Sequence, residues 1–171
     1  MRPGAYDEPG VVAMTAEVQD EYRRRYGGSA GDASPIDAAE FAAPDGTFLV
    51  GEADGAAVAM GGWRRGGPAG ARDAEIKRMY VRPGFRGRGY SRIVLAELER
   101  TAARAGITRL VLETGLEQPE AIALYRSCGY ADVEPFGYYA GYDDSVHLAK
   151  PLATATATEI GVLGPEASSL D

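Results

Sequence analysis

One stretch governs what this 171-residue chain can fold into. It is an alternating segment, Ala74-Glu75-Ile76-Lys77-Arg78-Met79-Tyr80-Val81, followed by Pro83, a turn Arg86-Gly87-Arg88-Gly89, and a helix-forming run from Tyr90. Alternation of character predicts a strand, and the proline ends it. Downstream, Ser91, Val94, Leu95, Leu98, Ala102 and Ala105 recur on one helical face, with Arg92, Glu99, Arg100 and Arg104 away from it. Gly106 is placed to stop this helix, and Arg109–Thr114 reads as a second strand. Strand, turn, helix and strand in that order make a crossover unit.

The turn itself is built to approach an anion. Glycines remove the Cβ atoms that hold a ligand off the backbone. The helix that follows presents unpaired N–H groups and a partial positive charge. Arg86 and Arg88 add full charge and forked donors, so the stretch suits a pyrophosphate. Two familiar phosphate loops are excluded by spacing. Gly89 is followed by Tyr90 and not by Lys and Ser or Thr, and Gly87-Arg88-Gly89 lacks the third glycine of the dinucleotide pattern.

What remains, Arg86-x-x-Gly89-x-Ser91, resembles the acyl-coenzyme A loop of the GNAT superfamily of N-acetyltransferases, with Ser91 departing from the usual Gly or Ala. A second motif follows in order. A helix from about Gln118 to Cys128, stopped by Gly129, carries Ala121-Ile122-Ala123-Leu124-Tyr125 and then Gly129-Tyr130, similar to the superfamily's next motif. The resemblance covers about residues 47 to 150. It implies an α/β (α+β) single domain: a mixed, mostly antiparallel sheet, split near the Glu75 and Arg109 strands to admit the cofactor and flanked by helices. It also implies direct acetyl transfer from acetyl-CoA to an amine in a ternary complex.

The resemblance also assigns roles. Tyr125 is the expected acid toward the coenzyme A sulfur, since a phenol is a neutral donor at pH 7. Glu75 matches the glutamate base of the histone-acetylating branch, although a strand glutamate beside Lys77 and Arg78 can equally be salt-bridged, and other branches use water chains. Met79, Tyr80 and Val81 should lend backbone groups to the pantetheine arm, and Arg86, Gly87, Arg88, Gly89, Tyr90 and Ser91 should hold the pyrophosphate. Gln118 stands where many relatives have an asparagine that touches the cofactor. On the acceptor side, Glu113 and Thr114 end a strand that faces it. Trp63 packs in the core or lines that side, and Phe136, Tyr138 and Tyr139 form either a substrate wall or a packing loop.

Composition bounds the rest. The length suits one domain, 1–151, with a flexible tail over 152–171, where Ala-Thr repeats give way to glycine and proline. A helix is expected over 11–26, ended by Arg23-Arg24-Arg25, and strands over 47–52 and 56–63 joined at Asp54-Gly55. Residues 1–10 read as an irregular arm. No apolar run approaches the roughly 20 residues of a membrane helix and no leader pattern is present, so a cytoplasmic protein is expected. One cysteine and one histidine, Cys128 and His147, argue against a metal site and a disulfide framework. A net charge of −7 disfavours nucleic acid and favours a cationic acceptor. Two other readings stand beside the enzyme: a coenzyme A-binding regulatory module, and an RNA-binding patch from Arg82, Arg86, Arg88 and Arg92 with Phe85 and Tyr90 between them. Relatives of this kind often dimerise, so a homodimer is also allowed.

Overall fold

The computed structural model describes residues 1–28 and 31–153. The Asp54-Gly55 turn, with φ of 51° and 78°, joins β2 (Gly46–Ala53) to β3 (Ala56–Arg65) as an antiparallel hairpin. β4 (Asp73–Val81) continues the meander antiparallel to β3. The chain then crosses over through α2 (Tyr90–Arg104) to β5 (Arg109–Gly115), which lies parallel to β4. α3 (Pro119–Ser127) precedes β6 (Ala131–Asp132) and β7 (Ser145–Pro151), and β7 inserts between β5 and β6. The sheet is therefore mixed and mostly antiparallel, with β1 (Arg2–Pro3) at one edge beside β2. The residues read as an irregular arm thus open with a short strand, which Arg2 secures by ion pairs to Glu8 and Glu52. The tail expected over 152–171 lies, from residue 154 onward, outside the described residues.

α1 (Pro9–Tyr26) starts on a proline at its first turn, where the missing N–H costs nothing, and stops at Gly27 with φ of 63°. It packs Val11, Met14 and Val18 against Phe48, Val50, Met60 and Tyr80. α2 packs Val94, Leu95 and Leu98 with Leu49, Trp63 and Ile76 in a separate cluster. Adjacent β2 residues, Phe48 and Leu49, belong to different clusters, so the helices cover opposite faces of the sheet. Gly61 and Gly62 permit this close double cover. A Cβ on Gly61 would meet Val94 at 3.0 Å, and one on Gly62 would meet Phe48 at 2.5 Å.

Two irregularities in β4 position everything that follows. Gly62 pairs with Lys77 and Met60 with Tyr80, so the single residue Gly61 opposes both Arg78 and Met79. This is a β-bulge, and Arg78 adopts φ of 55°, a left-handed conformation that costs a non-glycine residue about 1–2 kcal/mol. Second, β4 and β5 pair only from Asp73–Glu75 to Arg109–Val111. Beyond Glu75 the two strands part, and the edge of β4 that would face β5 has no strand partner among the described residues.

Candidate active site

The parted strands open onto two chambers that share a wall. One, of about 320 Å³, is bounded by Val81, Arg86, Gly87, Gly89, Tyr90 and Ser91. The other, of about 230 Å³, is bounded by Lys77, Arg78, Glu113, Thr114, Tyr139 and Asp144. Tyr22, Met79, Gln118, Ala121 and Tyr125 line both, so the chambers meet at a seam made by α1, the β4 bulge and α3. Gln118, Ala121 and Tyr125 fall three and seven residues apart and so project from one helical face.

In the larger chamber, Gly87 and Gly89 hold φ of 73° and 83°, and a Cβ on either would project into open space. Gly89 is also the N-cap of α2 and supplies no side chain to it. The first helical donors, Tyr90 and Ser91 N–H, consequently have no acceptor among the described residues. This fits a pyrophosphate: free backbone donors at a helix start, beside glycines that let phosphate oxygens come close.

The arginines differ from expectation. Arg86 donates to Glu21 Oε2 at 2.6 Å and to the Val81 carbonyl at 2.9 Å, and lies over the Tyr80 ring. Its positive charge is therefore spent on α1, and it acts as a brace between the turn and the helix. Arg82 is paired with Glu17, and Arg92 bonds to Ser127 Oγ and Cys128 Sγ. Arg88 packs against Phe85 with no carboxylate partner among the described residues, but it does not bound the chamber.

At the seam, Tyr125 is buried, and its hydroxyl donates to Met79 Sδ at 3.7 Å. A thioether is a weak acceptor, so this proton is available to a stronger one. Burial pushes the phenol pKa up, which keeps it protonated throughout the neutral range.

The carboxylates divide by environment. Glu75, the expected base, has both oxygens engaged, Oε2 by Arg64 at 2.9 Å and Oε1 by Lys77 at 2.8 Å, and it bounds neither chamber. It lies where β4 and β5 still pair, below the split. Glu113 instead lies beyond the split and faces the smaller chamber. Burial pushes its carboxyl up to about 7; the Lys77 charge opposes this rise and the Glu75 charge adds to it. Ser145 Oγ is its nearest donor, at 3.4 Å. His147 sits opposite Glu113 on β7, but it is buried, burial lowers its pKa, and its Nδ1 accepts only a 3.5 Å bond from Phe136 N–H.

Two residues left open between packing and substrate contact fall on the packing side. Trp63 is 1% exposed, bonded through Nε1 to Thr101 Oγ1 at 2.9 Å, and belongs to the core against α2. Phe136 packs edge-on to His147 and bounds neither chamber. Tyr139 does bound the smaller one, where its hydroxyl donates to Asp32 Oδ1 at 2.7 Å and accepts from Ala33 N–H at 2.8 Å.

Residues the sequence reading passed over complete the site. Tyr22 and Tyr26 extend the buried stripe of α1 into the cleft. Their continuation past Val18 at four-residue spacing was the available signal, and it reads equally well as core. Arg25 joins α1 to α3 through Glu120 and the Glu117 carbonyl, and Tyr26 accepts from Gln118 Nε2 at 3.2 Å. Gln118 is thereby held across the cleft. Among the described residues no group of three or more His, Cys, Asp or Glu side chains could hold a metal, and no helix is long and apolar enough to cross a membrane.

Known proteins share this architecture. The model of the Acetyltransferase (GNAT) family matches residues 13–130. An IAA acetyltransferase of Azospirillum brasilense is 40% identical over 117 residues, covering 68% of this chain and 75% of its own. A Klebsiella pneumoniae protein described as an acyl-CoA N-acyltransferase superposes with a TM-score of 0.72 at 28% identity, over 89% of this chain and 96% of its own. The PaiA N-acetyltransferase of Thermoplasma acidophilum, solved in complex with coenzyme A, shares the fold at 20% identity and a TM-score of 0.54, over 63% and 61% of the two chains. With its loop, split sheet and second helix in that order, the chain belongs to the GNAT family of acetyltransferases.

Proposed function

We propose that this enzyme moves an acetyl group from acetyl-CoA directly to a primary amine, with the donor along the parted edge of β4 and the amine in the chamber of Glu113. The observation that carries this is the shared seam: a chamber with anion-binding donors and a chamber with a desolvated carboxylate meet at Tyr125 and Met79. Tyr90 and Ser91 N–H with the glycine turn would hold the pyrophosphate, and the unpaired edge of β4 would hold the pantetheine. Bound there, coenzyme A supplies the acetyl group as a thioester. The bulge at Arg78–Met79 turns backbone toward the cleft, where an N–H would polarise the thioester carbonyl.

Glu113 takes base duty in place of Glu75. An alkyl ammonium has a pKa near 10.4 in water, so a base must remove its proton before nitrogen can attack. A carboxylate held by two cations is a poor acceptor, whereas one raised to about 7 is matched to neutral pH. Glu113 takes the ammonium proton and releases it to solvent, the neutral nitrogen then forms the C–N bond, and as the C–S bond breaks Tyr125 gives its proton to the sulfur while the second nitrogen proton restores the phenol. The basic cluster does not favour RNA, because Arg82, Arg86 and Arg92 all have intramolecular partners.

The pH dependence tests the base. Only the ionised carboxylate accepts a proton, so kcat/KM should rise with pH through a limb centred near 7. Glu113→Gln should lower kcat/KM about 10²-fold and erase that limb, leaving the rise set by the amine. Retention of the limb in that variant, or its loss in Glu75→Gln instead, would return the role to Glu75. Tyr125→Phe should lower kcat about tenfold with the KM for acetyl-CoA unchanged, since only the leaving group loses a donor. A KM effect equal to the kcat effect would make Tyr125 a packing residue.

A further inference from the structure

The charges around the acceptor chamber do not balance, and the imbalance has a pattern. Two cations line it, and each is already matched. Lys77 Nζ lies 2.8 Å from Glu75, and the Arg78 guanidinium is ion-paired with Asp32. Both side chains are nearly buried, 7% and 5% exposed, so neither can swing to a new partner. The three lining carboxylates are treated differently. Asp32 is consumed by Arg78, Tyr139 and Ser34. Glu113 and Asp144 have no cationic partner within ion-pair distance among the described residues. They stand at two depths, Glu113 half-buried in the cleft beyond the split and Asp144 exposed at the mouth. Tyr26 and Tyr142 line the same chamber, and tyrosine ring faces attract cations.

We infer that the acceptor is a compact diamine without a carboxylate: one amine enters to Glu113 and is acetylated, while the second stays charged at Asp144. A carboxylate on the acceptor would find no available cation in this wall and would face two unpaired acids. A monoamine would satisfy only the deeper of the two. The inference rests on the acetyltransferase reading of the same cavity.

Matched acceptors separate the possibilities. Cadaverine and lysine differ by one carboxylate, and cadaverine and pentylamine by one ammonium. With the full-length enzyme and acetyl-CoA, kcat/KM should fall about tenfold from cadaverine to pentylamine, and at least as far from cadaverine to lysine, one charge-assisted contact being lost at each change. Asp144→Asn should shrink the cadaverine-to-pentylamine ratio to about threefold or less, a change in preference that a merely structural role for Asp144 would not produce. Lysine turned over as well as cadaverine, pentylamine equal to cadaverine, or an unchanged ratio in Asp144→Asn would each overturn the inference. Calorimetry with acetyl-CoA alone distinguishes the two levels. Binding of acetyl-CoA with no turnover of cadaverine sinks the diamine assignment only, whereas no binding of acetyl-CoA sinks the acetyltransferase reading beneath it.

Discussion

Gly89→Val is expected to weaken acetyl-CoA binding about 10³-fold, on the order of 4 kcal/mol, while the protein stays folded. The size follows from two losses with no escape between them. At φ of 83° a β-branched side chain is strained by more than the 1–2 kcal/mol charged to an ordinary residue. If the turn keeps its shape, the valine side chain occupies the open space beside Gly89, which lines the same chamber as Tyr90 and Ser91, because beyond its chain neighbours no protein atom lies within 4 Å of the added Cβ. If the turn relaxes, the Tyr90 and Ser91 N–H donors no longer converge, and each charge-assisted bond to a phosphate oxygen is worth about 1.5–3 kcal/mol. Gly70→Val is the matched control. Gly70 has a similar φ of 72° and equally open surroundings, but it precedes β4 and lies far from the turn in sequence. Calorimetry should show wild-type affinity in that variant. Affinity within about threefold of wild type for Gly89→Val would place the pyrophosphate elsewhere.

That turn was legible because glycine, proline and helix periodicity are local signals. Pro83, Gly89 and Gly106 punctuate the crossover unit in sequence, and Asp54-Gly55 marks the hairpin in the same way. The split of the sheet was foreseen through resemblance to a family, since no local pattern says where two parallel strands part. What could not be read were pairings across long separations. Arg86 reads as a phosphate ligand until Glu21, 65 residues earlier, is found on its guanidinium. Glu75 reads as a base or a salt-bridged strand residue and Glu113 as a residue facing the acceptor, and nothing local decides which of the two takes the proton. Only the fold adds Arg64 to Lys77 on Glu75 and leaves Glu113 beyond the split without a cationic partner among the described residues, and desolvation then sets their chemistry apart. Tyr22 and Tyr26 were hidden for the opposite reason, because a stripe that lines a cleft has the same period as one that packs in a core.

Asp32→Asn is expected to lower stability by about 3 kcal/mol, a fall in Tm of about 10 °C, and to reduce kcat even where the variant is fully folded. Asp32 receives the nearly buried Arg78 guanidinium, the Tyr139 hydroxyl at 2.7 Å, and Ser34 through both N–H and Oγ. Removing its charge strands a cation that has no other carboxylate among the described residues, and breaking a buried pair costs more than the pair itself contributed. The same ion pair holds a non-glycine residue at φ of 55° in the bulge beside Met79, so its loss should let β4 drift toward ordinary pairing and withdraw the backbone turned to the cleft. This gives a rescue that simple loss of packing would not. Arg78→Gly removes the stranded charge and accepts a positive φ without strain. Asp32→Asn with Arg78→Gly should therefore recover at least half of the lost Tm and most of kcat, although two interactions have been deleted instead of one. A double variant as impaired as the sum of the singles would show that the bulge does not depend on the ion pair, and that Asp32 matters only through the loops it joins at Tyr139.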